Sequence, residues 1–92
     1  EFLHVDFQEG KRVLVWQRGR PGTDRLVVVV ANFSDYGTPD ALRPGAEYFV
    51  PNWPQIPPGR RWREHPQDRD VPLGQAGREP IFPWEAKVYV VV

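Results

Sequence analysis

Three groups of residues in this chain could do chemistry. The densest is "GRRWREHPQDRD", residues 59 to 70, where Arg60, Arg61, Arg63 and Arg69 alternate with Glu64, Asp68 and Asp70, with Glu79 close behind. Carboxylates can act as general acids and bases when a cleft perturbs them, but acids set among arginines are first of all ion-pair partners. Arg60, Arg61, Arg63, Glu64, Asp68 and Asp70 are therefore expected as loop or interdomain ion pairs, with no catalytic residue among them. The second group is imidazole. His4 and Asp6, two apart on a strand, would project together, and His65 sits beside Glu64. Zinc takes four ligands, and a chain without cysteine offers no third or fourth donor at either place. No metal and no cofactor are expected. The third group is indole. Trp53, Trp62 and Trp84 each lie near prolines in irregular sequence. Held outward, such rings are flat apolar platforms on which sugar could stack, with Arg, Asn and Gln nearby to bond hydroxyls. Held inward, they fill space between a loop and a sheet, the commoner use of large aromatics. Packing is the expected role for at least two of the three.

Composition narrows the partners. Twelve basic and twelve acidic residues cancel over 92 positions, and nucleic-acid binding rests on an excess of cations over phosphates. The arginine-rich stretch carries only one net positive charge, its four arginines facing three acids. Nucleic acid is not an expected partner. Nor is a membrane, since no apolar run approaches the roughly 20 residues that a span requires and no basic-then-apolar leader opens the chain. The chain begins directly in strand-like sequence, as a segment of a longer protein would. A chain of this size is expected to be one domain, 1–92, and to bury about 60–65% of the surface its unfolded form exposes.

The elements that must position these groups read as strands. "FLHVDFQ", residues 2 to 8, alternates, with Leu3, Val5 and Phe7 on one face and His4, Asp6 and Gln8 on the other, which predicts a half-buried strand with the polar set outward. Glu9-Gly10 supplies a tight turn. "RVLVWQR", residues 12 to 18, returns, with Trp16 expected in the core, and "GRPGTD" turns the chain again. "RLVVVVANFSD" follows. Its valines occupy both faces from Leu26 to Ala31, Val27 and Val29 on one and Val28 and Val30 on the other, the mark of a strand covered on both sides. "AEYFVP", residues 46 to 51, reads as a short strand and "EAKVYVVV", residues 85 to 92, as the last. No stretch carries a helical period or a cap. The expectation is an all-β fold, a small antiparallel β-sandwich of Greek-key-like form or a partly open barrel.

Residues 52–84 differ in kind. They hold seven of the eleven prolines and, counting Trp84, three of the four tryptophans. So long a connection without secondary structure is uncommon in a compact domain. Trp53, Ile56, Trp62, Ile81, Phe82 and Trp84 carry too much apolar area to be left in water. An ordered irregular excursion packed on the sheet is expected.

"RVLVWQR", followed after a turn by "DRLVVVVANFSD" and closed by "WEAKVYVV", resembles the C-terminal β-domain of the alpha-amylase family, glycoside hydrolase family 13. The resemblance covers residues 2–35 and 81–92; the Pro/Trp/Arg-rich segment 52–80 departs from it. It implies a non-catalytic β-sandwich that covers and stabilises a (β/α)8 catalytic barrel in a parent enzyme acting on α-glucans. The barrel would then cover the second face of the valine strand. The parent's retaining chemistry needs two carboxyl groups about 5–5.5 Å apart on a barrel of roughly 250 residues, which 92 residues cannot contain. An independent carbohydrate-binding module, contacting starch- or glycogen-like glucan through Trp53, Trp62 or Trp84, and a protein-interaction β-module stay open beside it.

Overall fold

The computed structural model describes residues 1–72 and 74–92. It is all-β: six strands in a single antiparallel sheet, β1 Phe2–Asp6, β2 Val13–Gly19, β3 Leu26–Asn32, β4 Trp62–His65, β5 Arg69–Asp70 and β6 Ala86–Val91, in the order β1-β2-β3-β6-β4-β5. The first three strands form the expected meander. Gly19 closes the β2–β3 turn at φ 101°, where a Cβ would fall 1.8 Å from the Arg25 carbonyl oxygen, so only glycine fits. The last strand of the chain, β6, inserts between β3 and β4 and joins the meander to the β4–β5 hairpin.

The second layer is not a second sheet. Irregular chain before β4 and after β5 lies over one face of the sheet, placing Tyr48, Val50, Val71 and Ile81 on Val13, Val15, Leu26, Val28, Val30, Trp62, Tyr89 and Val91. The expected strand at 46–51 is extended but unladdered. Tyr48 and Val50 donate N–H bonds to the carbonyls of Glu79 and Gly77 at 3.3 and 2.7 Å, a one-sided pairing that never becomes a ladder. Prolines at 44, 51 and 80 remove donors around it. The sandwich expectation is thus replaced by one sheet under a layer of pinned loops.

Two further expectations are corrected. The excursion 52–84 is not wholly irregular, for it contains β4 and β5. β4 reads "WREH", with Trp62 and Glu64 buried and Arg63 and His65 half-buried, so its alternation is hidden by charge. In β1 the faces are exchanged. The register shifts between Phe2, opposite Trp16, and His4, opposite Val15, a bulge that sends one residue extra to the inside. His4 and Asp6 turn inward, and Val5 and Phe7 are 52% and 63% exposed.

The loops owe their order to Asn32. Its buried side chain donates to the carbonyls of Tyr36 and Phe82 at 2.6 and 2.9 Å and accepts from the Ser34 N–H and hydroxyl. One amide with all four of its bonds made holds the end of β3 to both loops that leave the sheet there.

Candidate functional site

The inner face holds a polar network inside the core. Arg69 meets Glu79 as a two-pronged fork, both contacts at 2.8 Å, and the Tyr89 hydroxyl donates to the same carboxylate at 2.7 Å. Burial pushes Glu79 up, but the bonds from Arg69 and Tyr89 outweigh it and hold its carboxyl below the usual range. Burial and the neighbouring carboxylate together push the Tyr89 phenol up. Glu64 is fully buried, with Lys87, 4% exposed, at 4.0 Å from Oε1. The Gln67 N–H reaches Oε2 at 3.2 Å, and Oε1 has no hydrogen-bond partner. No substrate can reach a carboxylate in this position. The network ties β4, β5, β6 and the loop at 79 together.

The other predicted ion pairs lie outside the core. Arg63 bridges Asp68 at 2.7 Å and Asp70 at 2.8 Å, and Arg61 adds a second contact to Asp70 at 2.9 Å. Arg60 reaches Asp24 at 3.1 Å instead of an acid of its own segment. Asp68 is held below the ordinary range chiefly by the hydrogen bond and charge of Arg63. This ladder clasps the β4–β5 hairpin; being solvated, it is worth little in stability. The pairs are made within the chain.

His4 and Asp6 do come together, around Tyr48. The hydroxyl of Tyr48 donates to Asp6 at 2.6 Å and lies 2.7 Å from His4 Nε2. Burial raises the Tyr48 phenol, with the Asp6 carboxylate adding to it. Asp6 is pushed up by burial and brought below its usual value by the Tyr48 bond, the Gln8 N–H and the Lys11 charge. Among the described residues no three His, Cys, Asp or Glu side chains form a ligand group.

The tryptophans divide. Trp62 is 5% exposed, which removes it as a sugar contact. Trp53 packs edge-on against Trp62 and Tyr89 at 5.6 and 5.1 Å between centroids, and Gly77 lies so close that a Cβ there would meet the Trp53 Cβ at 3.0 Å and its ring at 3.1 Å. Trp84 is the exception, 66% exposed. Its backbone sits at φ 55°, a region that bulky residues rarely enter. Its N–H donates to the Ser34 carbonyl at 3.1 Å and its indole N–H to Asp35 Oδ1 at 2.7 Å.

Trp16, expected in the core, faces the other way. It stands on the outer face of the sheet, edge-on to Phe2 at 6.2 Å. Register places it in a row with Val29 and Val88; Val27 and Val90 form the next row and Leu14 the one before. All are half-buried at best, and Phe2 and Phe33 beside them are 62% and 46% exposed. Arg18 and the Arg63 ladder border this apolar field. Val28 and Val30 are therefore dry on the inner face, Val27 and Val29 are half-open on the outer one, and only Ala31 at the end of that outer row is closed, at 2% exposure. Sequence reasoning placed apolar residues on both faces of β3 but missed Val5, because the bulge that turns β1 over has no sequence signal of its own, and Trp16, because β2 turns Val13, Val15 and Gln17 inward and the indole with Leu14 outward.

No family model matches the chain, and no curated protein or solved structure matches it significantly.

Proposed function

We propose that the chain is a non-catalytic β-domain of the alpha-amylase-family type, whose sheet covers the (β/α)8 barrel of a parent enzyme acting on α-glucans. The observation that carries this reading is the outer face. Soluble monomers rarely leave a contiguous apolar field of this kind open, and one that is rimmed by charge marks an interaction surface. The rest of the support is the strand sequence, "VLVW" in β2 and "LVVVVANFS" from β3 onward, which resembles that family. The domain's contribution is structural: it removes apolar barrel surface from water and has its own apolar face covered in return. Hydrolysis or transfer at the glucosidic bond belongs to the barrel, so the chain alone should release no reducing sugar from starch above a protein-free control.

The reading requires a barrel-encoding segment directly upstream of Glu1 in the same gene. That barrel, expressed separately, should bind the chain in a one-to-one complex that Val29→Asp abolishes. A gene without such a segment, or a complex indifferent to Val29→Asp, overturns it. A dimer of the free chain that competes with the barrel would show the face to be self-complementary, which also counts against it.

A further inference from the structure

We propose a saccharide contact site at the corner formed by Trp84, Phe33, Asp35 and Arg12. These residues, with Gly10 and Ser34, line a shallow depression of about 270 Å3, just under the roughly 300–1,000 Å3 of ordinary small-molecule pockets. The indole of Trp84 is not simply loose. Its turn is pinned by the Asn32 amide to the Phe82 carbonyl, by the Asn32 N–H to the Glu85 carbonyl at 2.8 Å and by the Trp84 N–H to Ser34. The bond from the indole N–H to Asp35 then sets the angle of the ring. An apolar ring of this size would gain by packing inward. Here the backbone is held in an unfavourable region instead, and the ring stands outward at 66% exposure.

What surrounds the ring selects the ligand. Phe33, 46% exposed, supplies a second apolar surface. Asp35 spends one carboxylate oxygen on the indole, leaving the other to accept from hydroxyls, and the exposed Arg12 guanidinium offers a fork of donors. A flat apolar platform with an acceptor on one side and a donor on the other fits a pyranose ring, whose faces are C–H and whose rim is hydroxyl. A protein partner would want a larger dry centre. That the saccharide is an α-glucan rests on the function proposed above; the saccharide chemistry of the corner does not.

The test is titration of the 15N-labelled chain with maltoheptaose, following its four indole N–H resonances, that of Trp84 assigned by its loss in Trp84→Phe. The Trp84 resonance should shift saturably while that of buried Trp62 stays in place. Trp84→Ala should weaken binding at least about tenfold, equal to about 1.4 kcal/mol, with the far-UV spectrum unchanged. Should that variant misfold, Arg12→Ala, at an exposed position, should weaken binding in a folded chain. A Trp84 resonance unmoved at the highest concentration of either maltoheptaose or cellohexaose overturns the site, as does affinity that survives both substitutions. Binding of cellohexaose without maltoheptaose overturns the α-glucan assignment. Val29 lies on the sheet face and not in this corner, so failure of the barrel complex leaves the titration free to succeed or fail by itself.

Discussion

Adjacent valines of β3 should respond to aspartate in opposite ways. Val28 is fully buried between Gln17 and Tyr89. Removing its side chain from the core forfeits about 1.5–3 kcal/mol, and a buried carboxylate without a partner adds several kcal/mol more. At roughly 0.05–0.15 kcal/mol per residue the whole chain has about 5–14 kcal/mol, so Val28→Asp should leave it unfolded at room temperature. Val29, between Trp16 and Val88 on the outer face, is half-open. There the loss is about half a side chain's burial, the carboxylate reaches water, and weaker strand preference costs up to about 1 kcal/mol. The sum, about 1–2 kcal/mol, corresponds to a fall in Tm of about 5–15 °C for a domain of this size. Far-UV circular dichroism with thermal and urea melts of both variants decides the matter, with sedimentation to fix the oligomeric state. If Val29→Asp unfolds the monomeric chain as completely as Val28→Asp does, the outer face is not open in solution and the functional reading loses its carrying observation.

Three other outcomes follow from the core and the loop corner. Lys87→Met leaves fully buried Glu64 with only Arg69 of its two cations, both at 4.0 Å, and should cost about 3 kcal/mol; adding Glu64→Gln should recover part of that, and a strictly additive double variant would show that the two groups do not interact. Glu79 titrates below its ordinary value of 4.5 in the folded chain, so the unfolded chain takes up the proton first as pH falls, and the stabilisation is whole above about pH 5 and lost as pH drops through the folded value. Urea midpoints measured downward from about pH 6 should therefore fall. Glu79→Gln should reduce that slope, with Asp6, also held low, supplying part of the remainder; an unchanged slope refutes the assignment. Acrylamide should quench Trp84, 66% exposed, far more than Trp62, 5% exposed, so Trp84→Phe removes much of the quenchable emission and Trp62→Phe little; the reverse would mean that the loop layer is not seated on the sheet.

The sequence alone determined the all-β class, the β1–β2–β3 meander, the existence of the last strand and the two-sided apolar character of β3. Those features rest on local physics: β-branched runs suit a pleated strand, period two assigns residues to faces, and Glu9-Gly10 and Pro21-Gly22 turn the chain wherever it folds. What lay beyond local reading depends on partners distant in the chain. "WREH" became a strand because Glu64 finds Lys87 on β6 and Arg69 on β5, and before folding those charges argue against burial. "AEYFV" stayed outside the sheet although its pattern is strand-like, since its ladder partner among the described residues, 77–79, offers one side of a pairing. The faces of β1 were decided by a single extra residue at Leu3, which carries His4 and Asp6 to Tyr48 and leaves Val5 and Phe7 outside. Tertiary structure likewise decided which tryptophans are available. Trp62 went inside with its strand, Trp53 was shut in by Gly77, and Trp84 was turned outward by the bonds of Asn32 and Asp35. The valines of β3 show the division most plainly. Their sequence called for cover on both faces, and the folded chain lays its described loops over one and leaves Val27 and Val29 on the other half-open.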